Sequence, residues 1–195
     1  MQKIIKAKGM VDVNQQILIP DITIVIDNDI ITSVESGITS AQTDPEAQVV
    51  DLSDQYILPG LINSHMHLCM PGDSDFGQNP AYQKNVRELA PILAVKNALT
   101  ELNSGVTTVR DCGAWDMPTI CRAVDLGIMK GPRIYHCGRI LTITGGHGWS
   151  WNIAEEVDGI DGVITATRQN FKYGADYVKL MATGGGTLGT YPGHA

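Results

Sequence analysis

From residue 61 onward the chain repeats one alternation, a short apolar run followed by an amphipathic stretch. This pattern constrains the fold more than any other feature. The apolar runs are Leu61 to Leu68, Val106 to Asp111, Arg133 to Gly138 and Ala175 to Met181. After the first run, Val86, Leu89, Ala90, Leu93, Ala94, Ala98 and Leu102 recur at helical spacing. Gly105 closes that segment as a helix-terminating glycine, and Pro91 is a candidate for its true first turn. Thr119 to Met129 reads as a second helix, with Asp116 and Pro118 in start positions. Ile160 to Tyr173 reads as a third, closed by Gly174. Strand–helix repetition implies parallel strands joined by helical crossovers. Four strands fit either a doubly wound sheet or part of a (β/α)8 barrel. A full barrel takes ~250 residues, and the segment after residue 58 holds about half that.

Before Gly60 the pattern is different. Ile17 to Ile19, Ile22 to Ile26 and Ile30 to Val34 are β-branched runs. Pro20-Asp21 and Asp27-Asn28-Asp29 stand between them, which is strand and hairpin chemistry. A further strand is expected at Gln48 to Leu52. Residues 1–58 therefore read as a small all-β unit, and residues 59–195 as a separate α/β domain.

Charge and composition exclude several classes. The formal net charge is -7, with no run of five or six like charges. Nucleic acid and anionic membranes are gripped through clustered Lys and Arg, so neither is an expected partner. No apolar run approaches the ~20 residues that span a bilayer. The leader MQKIIKAKGMVDVN has no apolar core or small-residue cleavage site of a secretory signal. Cys69, Cys112, Cys121 and Cys137 form no C-x-x-C pair, so they read as reduced thiols rather than a zinc knuckle. The expectation is a cytoplasmic protein acting on a small molecule.

The strongest chemical signal is LPGLINSHMHL, residues 58–68. On a strand, side chains two apart share a face. His65 and His67 would then project inward with Asn63, about 7 Å apart along the strand. Ile62, Ser64, Met66 and Leu68 would face the helices. Two neutral imidazoles so placed can clamp one first-row metal ion, zinc being the commonest choice. The second signal is Lys179 in ADYVKLMATGGG, on one face with Tyr177 and Met181. A parallel strand is covered on both faces, so Lys179 should point into an interior. There it must pair, snorkel or become neutral. A neutral lysine can add carbon dioxide to give a carbamate, an anionic ligand able to bridge two cations. A Lys179–Asp111 ion pair is the competing reading.

The Leu-Pro-Gly-Leu-Ile-x-x-His-x-His segment after a β-rich leader resembles the amidohydrolase superfamily. GVTTVRDCGA (105–114), GRILTITGGHG (138–148) and YVKLMATGGG (177–186) resemble its prolidase-like branch, near the imidazolonepropionases. The resemblance covers essentially the whole chain. It implies strands one to four of a TIM (β/α)8 barrel, preceded by a small sandwich-like β unit. It implies a first-strand metal pair at His65 and His67. It also implies a bridging carboxylated lysine at Lys179, two Zn2+ ions, and carbon dioxide bound as the carbamate. Asn63 stands where the family commonly has Asp. The implied reaction is hydrolysis of C–N amide or peptide bonds, in dipeptides or amino-acid derivatives. The family draws further histidine ligands from strands five and six, and an aspartate general base from strand eight. No residue up to Ala195 takes those roles, and His194 comes too early. No catalytic residue is assignable, and the chain reads as an N-terminal fragment with an incomplete site. Two rival classes are a non-catalytic remnant or half of a split enzyme, and a deaminase or cyclic-amide hydrolase on the same barrel. A homo-oligomer or a complementing chain is the expected assembly.

Other residues carry weaker signals. His147, in TGGHGW, lies on the loop side where barrels keep active sites, and the resemblance gives it a substrate-contacting role. A loop histidine with a structural hydrogen bond is the alternative. Arg110, at the end of strand two, can hold a substrate carboxylate by a bidentate pair, or form an ion pair with Asp111. Gly184, Gly185 and Gly186 lack the spacing of a phosphate-binding loop. His136 has the parity of a packed core histidine. Trp115, Trp149 and Trp151 lie in loops, to line a pocket or cover the rim.

Overall fold

The computed structural model describes residues 2–37, 46–72, 86–114, 117–149 and 153–184. The chain divides into two compact units, Met1–Pro59 and Gly60–Ala195.

The first unit is a four-stranded sheet in the order β3-β2-β1-β4. Its strands are β1 (Gln2–Asp12), β2 (Ile17–Asp27), β3 (Ile30–Ser36) and β4 (Gln48–Ile57). β1 pairs antiparallel with β2 and parallel with β4, and β2 pairs antiparallel with β3. Among the described residues this is one sheet, where a sandwich-like pair of layers was expected. The two runs expected around Pro20-Asp21 are a single strand. Proline is tolerated because β3 covers only Ile22 to Asp27, so the Pro20 stretch is paired on one side only. The Asn28-Asp29 connection is a two-residue hairpin turn with Asn28 at φ 56°, a left-handed conformation that Asn tolerates. β1 was not expected. Its Lys3, Lys6 and Lys8 hide the strand pattern, and pairing with two neighbours supplies what propensity does not.

The second unit begins with β5 (Leu61–Met66), which pairs parallel with β6 (Val106–Asp111). β6 pairs parallel with β7 (Arg133–His136). The third expected strand, Arg133 to Gly138, ends at His136; the chain turns at Gly138, which has φ 66°, and enters β8 (Ile140–Thr142), which was not expected. β8 lies between β9 (Ala154–Glu156), which was not expected, and β10 (Leu180–Met181), parallel to both. Main-chain bonds carry the fourth strand across the break: Asp176 N–H to His136 O at 2.8 Å, and Leu141 N–H to Lys179 O at 2.9 Å. Regular β10 is therefore shorter than the expected Ala175–Met181. The strands are parallel as the alternation required, with helices in the crossovers.

Helix α1 (Val86–Asn103) buries Ala90, Ala94 and Ala98, one residue per turn. These small side chains pack against Val109 of β6 and against Leu68, just beyond β5. Pro91 lies inside α1 rather than in its first turn. α2 (Met117–Asp125) buries Met117 and Ile120 in the same core. It ends earlier than expected because Gly127, at φ 68°, turns the chain out of the helix. α3 (Gly159–Lys172) closes at Gly174, φ 93°, as expected. No helix among the described residues is long and apolar enough to cross a membrane.

Candidate functional site

β5 is irregular at the place that matters. Asn63 pairs with Val109 and Met66 with Asp111, so three steps along β5 match two along β6. This is a β-bulge, a device common beside active sites. It inverts the expected parity of Asn63. Instead of projecting with the imidazoles, Asn63 donates Nδ2–H to Glu101 Oε2 on α1 at 3.3 Å. Its Oδ1 accepts the His65 N–H at 3.3 Å. Met66 and Leu68 do pack into the helix-side core as expected. Ile62 does not; it is 70% exposed.

The bulge leaves His65 and His67 together, ring centroids 5.8 Å apart and planes inclined by 57°. His67 Nδ1 lies 3.2 Å from the Gly113 carbonyl oxygen. A carbonyl only accepts, so Nδ1 carries the proton and Nε2 keeps its lone pair. That is the tautomer of a histidine prepared to ligate through Nε2. Partial burial holds the His65 imidazole below its ordinary pKa. The nearby Lys179 cation, His67 and Arg110 act in the same direction. His65, His67, Arg110 and Lys179 thus form one electrostatic group.

Lys179 is half-buried rather than enclosed. The Lys179–Asp111 and Arg110–Asp111 ion pairs do not form, because the Asp111 carboxylate is occupied elsewhere. It accepts the Leu68 N–H at 2.7 Å and the Gly113 N–H at 3.0 Å, and it is fully buried. Burial pushes the Asp111 carboxyl up, while these two donors pull it down. The Arg110 guanidinium instead stacks over the Tyr177 ring, 3.8 Å from its centroid. Tyr177 donates its hydroxyl to the Asp111 main-chain carbonyl at 2.6 Å, and burial raises its pKa so that it stays a donor.

Gly113 has φ 132°, and a side-chain carbon there would collide with Ile140. Glycine is therefore required where the backbone must present its carbonyl to His67. Tyr177, Asp111 and the Gly113 carbonyl had no such roles in the sequence reading. The one available signal was the run Arg110-Asp111-Cys112-Gly113 at a strand end.

His147 is half-buried in the loop after β8. That loop follows the central strand of the β10-β8-β9 sheet, whereas His67 and Asp111 stand at strand ends of the β5-β6-β7 sheet. His136 is a packed core histidine as expected, 3% exposed, with Nδ1 accepting the Gly138 N–H at 3.1 Å. Trp149 is exposed. Trp115, Trp151, Asp116, Gly185, Gly186 and His194 lie outside the described residues. Cys69, Cys112, Cys121 and Cys137 are unbridged, and burial raises the Cys121 and Cys137 thiols to about 12.

Among the described residues, no three His, Cys, Asp or Glu side chains gather into a metal-binding group. The donors at the end of β5 are two imidazoles, and the Lys179 charge acts on His65. The two imidazoles fit a divalent cation in chemistry, and His67 fits it in tautomer.

Residues 56–194 match the amidohydrolase family. The chain is 27% identical over 158 residues to an ochratoxinase of Aspergillus niger, covering 66% of this chain and 31% of that protein. Among solved structures, a prolidase crystallised with N-methylphosphonate-L-proline superposes with TM-score 0.85 at 29% identity, covering 98% of this chain and 49% of that one. A Xaa-Pro dipeptidase with methionine in its active site gives TM-score 0.83 at 33% identity, covering 95% and 48%. The chain thus spans about half the length of these structures and less of the ochratoxinase. The matched span takes in the paired histidines, the strand-end Arg110-Asp111 and Lys179, and on that match the chain belongs to the amidohydrolase family.

Proposed function

We propose that the protein is a metal-dependent hydrolase of C–N bonds in dipeptides or amino-acid derivatives. In this reading residues 1–58 are a β unit, and residues 59–195 contribute strands one to four of a (β/α)8 barrel. The observation that carries it is the His65–His67 pair, with the His67 Nδ1–H held by the Gly113 carbonyl. His65, His67 and Lys179 are the metal ligands from this chain, Lys179 as its carbamate. Two Zn2+ ions are the expected occupants. Bound divalent cations supply Lewis acidity, which acidifies water and polarises a carbonyl.

This chain's own residues orient and select. Gly113 fixes the ring of His67. Arg110, braced by Tyr177, presents a guanidinium toward the site and can take a substrate carboxylate bidentately. His147, on the loop after β8, contacts substrate. The similarity to a prolidase and a Xaa-Pro dipeptidase supports a dipeptide. The position of Lys179 beside His65 favours a binuclear centre over the single metal of a deaminase. The remaining ligands and the general base are sought in the rest of a full-length enzyme. Its partners are small molecules, with a homo-oligomer or a complementing chain as the assembly. Four unbridged cysteines support a cytoplasmic location.

The test is metal analysis and Xaa-Pro hydrolysis by the full-length protein. About two zinc ions per chain, with activity lost in His65→Ala and His67→Ala, is the expected result. A protein that binds no divalent metal and cleaves no dipeptide overturns the reading.

A further inference from the structure

The Asp111 carboxylate joins the two peptide groups that hold His67. Oδ2 accepts the N–H of Leu68, the residue directly after His67, at 2.7 Å. Oδ1 accepts the N–H of Gly113 at 3.0 Å. The Gly113 carbonyl in turn accepts His67 Nδ1–H at 3.2 Å. The contacts close a ring: His67 backbone, Leu68 amide, Asp111 carboxylate, Gly113 peptide, His67 imidazole. Asp111 itself is pinned through its main chain, by the Tyr177 hydroxyl on its carbonyl at 2.6 Å. One residue on, the Cys112 N–H donates to the Met66 carbonyl at 2.7 Å, tying the end of β6 to β5.

A fully buried carboxylate is expensive to keep, and no ion pair offsets it among the described residues. What it receives instead is two peptide N–H groups, both flanking one imidazole. Charge-assisted bonds of this kind are shorter and stronger than neutral ones. The Gly113 N–H and C=O belong to consecutive peptide groups, so a carboxylate that anchors the N–H holds in place the residue whose carbonyl faces His67.

We propose that Asp111 is a positioning residue for His67: through the Leu68 and Gly113 peptides it fixes the Nδ1–H tautomer and aims Nε2 at the metal. The proposal rests on the reading of His67 as a metal ligand. It goes beyond that reading by naming what sets the ligand's tautomer and direction. Asp111 touches neither metal nor substrate; it acts through two peptide groups.

The test uses full-length protein carrying 15N-labelled histidine, first free of metal. Long-range proton–nitrogen spectra should show His67 as the Nδ1–H tautomer in the wild type. Asp111→Asn keeps one acceptor oxygen and turns an N–H2 toward the other amide, so the spectrum should become a mixture of tautomers. Zn2+ affinity, read by competition with a chelating dye, should fall by roughly 10-fold, the lower end for residues behind a metal ligand. Ala166→Gly, a buried change on α3, serves as the matched loss of stability and should move neither readout.

An Asp111→Asn protein that is less stable but keeps tautomer and affinity overturns the proposal, as does a wild type with His67 in the Nε2–H form. If Asp111→Asn does not fold, the wild-type amides decide. The Leu68 and Gly113 amide signals should shift with the His67 ring on Zn2+ addition, and stationary amides overturn the coupling. A wild type that binds no Zn2+ sinks the metal reading instead, while the metal-free tautomer still tests Asp111.

Discussion

Arg110 and Tyr177, which lie 67 positions apart in the sequence, form a stack in which the guanidinium carbon stands 3.8 Å from the ring centroid. The same phenol ties down the Asp111 carbonyl at 2.6 Å. One side chain from the fourth strand segment therefore holds two consecutive residues at the end of β6. Arg110 is steered away from Asp111, its obvious ionic partner, and Asp111 is left to serve the backbone around His67.

Tyr177→Phe removes the hydroxyl but leaves the ring. It should cost about 1 kcal/mol of stability, the usual net value of one hydrogen bond. Tyr177→Leu removes the stack as well and frees Arg110. In the full-length enzyme, KM for a dipeptide should rise for the Leu variant and stay near wild type for the Phe variant. Steady-state kinetics on both variants checks this, and equal KM values would count against Arg110 as a carboxylate anchor.

Gly113 and Gly105 both have positive φ, at 132° and 86°. Only Gly113 also lacks room, since an added carbon meets Ile140, whereas nothing lies near Gly105. Gly105→Ala should cost about 1 kcal/mol from backbone strain alone. Gly113→Ala should cost more than that, and should also disturb the His67 ring signal. Urea unfolding of the pair separates strain from collision; equal midpoints would show that Ile140 yields freely.

Asn170 on α3 clamps the break between β7 and β8. Its Nδ2–H donates to the Arg139 carbonyl at 2.8 Å, and its Oδ1 accepts the Arg139 N–H at 3.1 Å. Asn170→Ala leaves both main-chain groups without these partners and should cost about 2 kcal/mol. By contrast, the Arg139–Glu155 ion pair at 3.1 Å joins side chains 42% and 25% exposed. Glu155→Ala should therefore cost less than about 1 kcal/mol. Denaturant midpoints that reverse this order would contradict the clamp.

His136 supplies a pH prediction. Burial lowers its pKa from 6.5, against the opposing pull of Asp176 and Asp111. As pH falls, the unfolded chain takes up this proton before the folded one does. The unfolded state then binds more protons, so stability falls with pH from about 6.5 down to the folded value. The stability difference between wild type and His136→Gln should shrink across that window, measured by urea unfolding from pH 7.5 to 5. A difference that does not change with pH would show that His136 does not titrate between the two states.

Much of this architecture can be read directly from residue order. The helical spacing around Ala90, Ala94 and Ala98, the terminating Gly105 and Gly174, and the run Val106–Asp111 are local patterns that the structure reproduces. So is the pairing of His65 with His67, because two residues on one strand segment stay close whatever surrounds them. Periodicity and turn chemistry act over a few residues, and a few residues are all that such features need.

The rest is decided by neighbours that local pattern cannot see. β1 exists because β2 and β4 pair with it despite its lysines. The side on which Asn63 falls depends on a bulge between Asn63 and Met66, which only the register against β6 reveals. Asp111 and Arg110 sit side by side in the sequence as a ready ion pair, yet Leu68, Gly113 and Tyr177 take them in different directions. The sequence by itself determined the parallel strand–helix plan and the two histidines, since both are short-range properties of the chain. Which groups meet around His67 was decided only by tertiary structure, because a one-residue offset between paired strands turns a side chain to the opposite face.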